Sequence, residues 1–168
     1  MIISLTGFMG CGKSSVGRRL SELLCCPFMD LDREIEKKTG KTVSEIFSSE
    51  GEAVFRQLEQ EVLSEVMQKY PGMVLALGGG TVMTPECAEI VHSDTTCVYL
   101  RASVDTLLTH LENDITDRPL LNTDLPLREH ITVLMAQRAS TYEKTAHIII
   151  DTDGKSTDTI ASEIRSLT

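Results

Sequence analysis

Gly7-Phe8-Met9-Gly10-Cys11-Gly12-Lys13-Ser14 is the stretch that decides the fold. Its spacing, G-x-x-x-x-G-K-S, is that of a P-loop, a backbone that wraps around a polyphosphate. Glycines remove the Cβ atoms that would bar close approach, so successive N–H groups can converge on an anion. Lys13 adds a mobile charge for the β- and γ-phosphates, and the Ser14 hydroxyl suits Mg²⁺. Before the loop, Met1-Ile2-Ile3-Ser4-Leu5-Thr6 is a short apolar run of strand type. After it, Val16, Leu20, Leu23 and Leu24 recur at helical spacing. Strand, loop and helix in that order turn a helix N-terminus toward the phosphate.

The rest of the chain narrows the class. Its 168 residues suit one compact domain, residues 1–168, with room for a real core. A net charge of −9, no Trp and few aromatic residues leave neither a basic stripe nor a stacking platform for nucleic acid. No apolar run has the length to cross a bilayer, and the N-terminus lacks a secretion signal. The five cysteines show no C-x-x-C or zinc-type spacing, which fits a reducing cytoplasm; a monomer is the separate expectation for its assembly. Core packing is the expected place of Cys25, Cys26, Cys87 and Cys97, and the four histidines read as structural or surface groups. Cys11, between the loop glycines and near Lys13, has two readings: a thiol of lowered pKa, or a small side chain that the loop requires. The second is preferred.

Strand-like and helix-like stretches alternate, which points to an α/β domain with a parallel sheet. Further strands are expected at 27–30, 73–77, 96–100 and 147–150. Helices are expected at 13–24, 31–39, 43–48, 52–70, 85–91, 104–111, 127–144 and 156–167. Thr84-Pro85 and Ser103 read as helix starts. Residues 112–126 are polar, contain two prolines and lack periodicity, the marks of a functional or a disordered loop.

Four constellations carry chemistry beyond the P-loop. Asp30-Leu31-Asp32 ends the second strand; its carboxylates share a side if the chain stays extended, one for Mg²⁺ through water and one to take a proton. A helix N-cap explains Asp30 as well. Gly78-Gly79-Gly80 follows the apolar run 73–77 and lets backbone approach a ligand, although a flexible turn has the same composition. Arg56 and Arg138 read from their helices alone as surface pairs, Arg56 with Glu52 or Glu59. An anionic acceptor would instead use them as planar, bidentate donors. Arg118, in the irregular loop, fits either a lid arginine or a solvated one.

Taken in order, GFMGCGKS, DLD, FRxLE, GGG, RPLL and RxxxY resemble the shikimate kinases over nearly the whole chain. The resemblance implies a P-loop NTPase fold of nucleoside-monophosphate-kinase type: a five-stranded parallel sheet flanked by helices, an acceptor-binding region near 31–60 and a lid near 112–126. It implies transfer of the ATP γ-phosphate to the 3-hydroxyl of shikimate, with Mg²⁺. By the same resemblance, Gly10, Cys11, Gly12, Lys13, Ser14 and Ser15 hold the phosphates, Ser14 and Asp30 the metal, and Asp151 and Thr152 the adenine side. Asp32 binds the acceptor and orients or deprotonates its hydroxyl. Arg56 and Arg138 clamp the carboxylate, Gly78, Gly79 and Gly80 line the acceptor, Glu59 positions Arg56, and Arg118 arrives from the lid. One departure stands out: the family often has an arginine packing on adenine seven residues before the lid arginine, where this chain has Leu111. Competing readings are a kinase of gluconate or of a nucleoside monophosphate, and a silent nucleotide-binding module.

Overall fold

The P-loop hangs from a strand, β1 (Ile2–Thr6), that is buried along its whole length. A strand buried on both faces is a continuous apolar run, as Ile2, Ile3 and Leu5 make this one. In this computed structural model, which describes residues 1–112 and 125–168, β1 lies at the centre of a five-stranded parallel sheet. The other strands are β2 (Phe28–Asp30), β3 (Met73–Ala76), β4 (Thr96–Arg101) and β5 (Ile148–Asp151). Their order is β2-β3-β1-β4-β5. Ile3 is level with Val74 on one side and with Thr96 on the other.

Helices cover the sheet. α1 (Lys13–Leu24) buries Val16 and Leu20, and Gly17 lies where a Cβ would meet the Phe28 ring at 2.5 Å. That close approach seats α1 on the sheet. α2 (Leu31–Thr39), α3 (Val43–Glu50) and α4 (Glu52–Lys69) follow β2 in quick succession. Asp30 caps α2, and Gly40 at φ 69° ends it. Thr42 and Glu45 form a reciprocal capping box that starts α3. α5 (Pro85–Asp94), α6 (Val104–Glu112), α7 (Leu127–Thr145) and α8 (Thr157–Leu167) complete the set, with α8 against α1. Among the described residues no helix is long and apolar enough to cross a membrane.

Most expected elements are present, with ends moved by one to three residues. The last strand shifts forward by one because His147 Nδ1 accepts the Cys97 N–H while Asp151 pairs with Arg101 across the ladder. A 3-10 turn at Thr81–Met83 was not expected; Thr81 hides its hydroxyl there against Glu59. Ser103 caps α6 through the Thr106 N–H at 3.2 Å, whereas Thr84 stands at its N-cap position without a side-chain bond. Cys87 and Cys97 are core residues as expected. Cys25 is not: it is exposed, at φ 51° in the left-handed cap that ends α1.

Leu20, completely buried, joins the helix of the P-loop to the sheet. Leu20→Ala is expected to lower unfolding free energy by about 2–5 kcal/mol, read as a fall in the urea midpoint. An unchanged midpoint would mean that α1 is held by other contacts.

Candidate active site

Parallel strands bring all their carboxyl ends to one edge, and an open cleft of about 890 Å³ runs along that edge. The P-loop, the ends of β2 and β3, and parts of α2, α3, α4, α6, α7 and α8 line it.

At the phosphate end Gly12, at φ 95°, is the N-cap of α1 and offers no side-chain bond, so the helix N-terminus is left open to an anion. Lys13 is 9% exposed, and its ammonium donates to the carbonyls of Gly7 at 2.8 Å and Phe8 at 3.0 Å. The loop's own carbonyls therefore hold the charge that a phosphate would attract. Cys11 is turned inward at 3% exposure, which leaves only its backbone to the cleft and favours the small-side-chain reading. Ser14 Oγ donates to Asp30 Oδ2 at 2.6 Å, while Asp30 Oδ1 accepts the Arg33 N–H at 3.4 Å. Asp30 is thus both helix cap and partner of the P-loop hydroxyl. Gly10 and Ser15 line the same end.

The acceptor end gathers carboxylates and guanidinium groups. Asp32 lies in the first turn of α2, as the helix expected at 31–39 requires, so the condition of an extended chain across Asp30-Leu31-Asp32 is not met. Helix geometry turns the two carboxylates apart, yet both face the cleft. Burial, helped by the charges of Glu59 and Asp30 and opposed by Lys13, pushes the Asp32 carboxyl up to about 6. Arg56 bonds Glu59 Oε2 at 2.8 Å and Glu52 Oε1 at 3.4 Å. This is no surface pair, because Glu59 has no exposure and its other oxygen accepts the Thr81 hydroxyl at 2.5 Å. Arg138 is buried, donates from Nη1 to the Gly79 carbonyl at 3.3 Å and stands 5.8 Å from the Phe8 ring centroid. A Cβ on Gly80 would come within 2.9 Å of Arg56 Cζ. The two arginines, far apart in sequence, meet at the triple glycine.

The remaining end departs from expectation. Asp151 pairs with Arg101 at 2.9 Å, and Thr152 is buried with its hydroxyl on the Arg101 carbonyl at 3.3 Å. Those bonds keep both off the cleft wall, where α8 contributes Thr157 instead. Leu111 is completely buried, and a Cβ on Gly10 would meet it at 2.8 Å, so it packs under the P-loop. Its neighbour His110, exposed, lines the cleft and donates from Nδ1 to the Gly10 carbonyl at 2.7 Å, a structural bond at the surface. Sequence reasoning missed Val43, Phe47 and Phe55, which form an apolar wall. Val43 and Phe47 stand one helical turn apart, a signal that core packing produces as readily. Arg118 and residues 113–124 lie outside the described residues. Among the described residues no group of three or more His, Cys, Asp or Glu could hold a metal alone.

Comparison with known proteins agrees with this arrangement. The family model described as Shikimate kinase matches residues 9–168. The shikimate kinase of Dictyoglomus turgidum is 42% identical over 164 residues, covering 96% of this chain and 94% of its own. That of Thermus thermophilus is 43% identical, covering 96% of this chain and 86% of its own. Among solved structures, the Acinetobacter baumannii shikimate kinase in complex with shikimate superimposes with a TM-score of 0.93 at 37% identity, covering 99% of this chain and 91% of that one. With its fold that of the nucleoside-monophosphate-kinase-like P-loop proteins, the chain belongs to the shikimate kinase family and phosphorylates shikimate, with ATP as co-substrate, in aromatic amino-acid biosynthesis.

Proposed function

We propose that this cleft transfers the γ-phosphoryl group of ATP to the 3-hydroxyl of shikimate, with Asp32 as the group that receives or orients the hydroxyl proton. The observation that carries the reading is the meeting of Asp32, Arg56 and Arg138 around Gly78–Gly80, beside an open P-loop. The two guanidinium groups are the bidentate donors that fix a carboxylate and with it the ring's orientation. In-line transfer depends on such positioning more than on covalent help. The backbone of residues 10–15 and Lys13 hold the phosphates, and Lys13 leaves the Gly7 and Phe8 carbonyls to do so. Ser14 Oγ and Asp30 Oδ2 form the hard-oxygen pair that suits Mg²⁺, Ser14 as ligand and Asp30 through water. The bound ion supplies charge neutralisation between the phosphates. Arg118 is the proposed lid cation, the lid spans about 112–126, and residues 31–60 form the acceptor-binding region of one domain. The chain acts in the cytoplasm, in keeping with its free cysteines, and as a monomer.

Three measurements test these roles. ADP release should require shikimate and be absent with gluconate or AMP; turnover of either of those, or none with shikimate, would redirect the assignment. Arg138→Lys should raise the shikimate KM at least tenfold and leave the ATP KM unchanged, because a point charge cannot reproduce the planar fork. An unchanged shikimate KM removes Arg138 from the clamp.

Asp32 gives the third, with two readouts. Its ionised form is needed to receive a proton, so kcat/KM for shikimate should fall as pH drops through about 6. Asp32→Asn should bind ATP but lose about 10²–10⁴ in turnover. The folded state holds this carboxyl above its ordinary 3.8, so the ionised group destabilises the fold above pH 6 and ceases to do so below about 4. Asp32→Asn should therefore be more stable than the parent by about 1–3 kcal/mol at pH 7, with the gap closing near pH 4. A variant less stable at pH 7 would contradict the raised value.

A further inference from the structure

We infer that Tyr142 is a positioning residue for the acceptor carboxylate: its hydroxyl pins the Gly79 carbonyl on which Arg138 is seated. The inference rests on the proposed clamp and adds the group that holds it. Tyr142 and Arg138 stand one turn apart on α7, and both donate to the same oxygen, Gly79 O. Tyr142 is completely buried, and its ring packs against Tyr99 of β4 with centroids 5.1 Å apart. The phenol is thus fixed from the sheet side, and its hydroxyl arrives at Gly79 in one orientation.

This matters because Gly79 sits between two other glycines. A peptide flanked by glycines has little intrinsic preference and can rotate its carbonyl away at small cost. The Arg138 bond to it, at 3.3 Å, is long for an N–H···O contact. Tyr142, buried and with its ring fixed against Tyr99, is the better anchored donor, so the tyrosine holds the carbonyl and the carbonyl holds the arginine. A guanidinium has five N–H donors, and one committed to Gly79 leaves the others for a carboxylate. Burial pushes the Tyr142 phenol well above its ordinary value, against the opposing pull of Arg138, so it remains a donor throughout the neutral range.

Tyr142→Phe keeps the ring and removes only the donor. The shikimate KM is expected to rise about 5–20-fold, as for a lost buried hydrogen bond, with the ATP KM within about twofold. Tyr99→Phe, which keeps the ring that Tyr142 packs on and leaves Gly79 untouched, should leave both KM values unchanged. In an Arg138→Lys background, adding Tyr142→Phe should change the shikimate KM by less than about twofold, because the group being positioned is gone. An unchanged shikimate KM in Tyr142→Phe overturns the inference, as do a parallel rise in both KM values, a fully additive double variant, or failure to fold. If Arg138→Lys raises the shikimate KM and Tyr142→Phe is silent, only this inference fails. If Arg138→Lys is itself silent, the clamp fails with it.

Discussion

The structure depends on β1 being paired in parallel on both sides. With β3 and β4 as neighbours, its carboxyl end is the midpoint of the sheet edge, and whatever leaves each strand there must share one cleft. The pairing continues one residue past β3, where the Leu77 N–H donates to the Leu5 carbonyl at 3.0 Å. That bond brings the start of the triple glycine level with the start of the P-loop. A Cβ on Gly79 would lie 3.2 Å from the Met9 nitrogen, so the loop that holds phosphate and the turn that faces the acceptor are in contact through backbone. Their closeness is a property of the sheet register, and no flexible side chain mediates it.

The cations of the site are already occupied without a ligand. Lys13 rests on two carbonyls, Arg138 on a third, and Arg56 on a carboxylate that has no exposure. Each is thereby held close to where an anion would need it, in a protein whose overall charge of −9 would otherwise repel one. Glu59 would be costly alone in such a place. Arg56 on one oxygen and the Thr81 hydroxyl on the other offset that cost. The remaining carboxylate of the cluster, Asp32, has a raised proton affinity, first because it is buried and then because Glu59 and Asp30 lie near it. A carboxyl that titrates near neutrality thus follows from burying one acid beside two others.

What the sequence made legible follows the range of the interactions involved. The P-loop, α1 and the strand order of chemistry-bearing segments rest on local patterns: Gly12-Lys13-Ser14, the period of Val16 and Leu20, the apolar runs. α1 and α2 have the ends that pattern gives. Arg56, from its helix alone, reads as one of many i,i+3 pairs, because nothing local tells that Glu59 would be covered by the 3-10 turn at Thr81–Met83. Asp151 and Thr152 read as nucleotide contacts, and only the ladder to Arg101 turns them elsewhere. Leu111 and His110 are adjacent on α6 and both line the cleft, Leu111 packed beneath Gly10 and His110 bonded to its carbonyl, a pairing that no local pattern shows.

Gly78, Gly79 and Gly80 show how composition can be read correctly and for too weak a reason. Flexibility is the common explanation of consecutive glycines, and access to left-handed backbone is the next. The second does not apply, since none of the three is at positive φ while six other glycines of the chain are, and the first is not the whole reason. What they share is proximity. An added Cβ would stand 3.0 Å from Asp32 Oδ1 and from Glu59 Oε1 at Gly78, 3.2 Å from the Met9 nitrogen at Gly79, and 2.9 Å from Arg56 Cζ at Gly80. A side chain at any one position would therefore displace a different part of the site: the carboxylates, the P-loop or the guanidinium. The absence of side chains also leaves the central peptide without rigidity of its own, so a helix packed beside it has to supply the restraint.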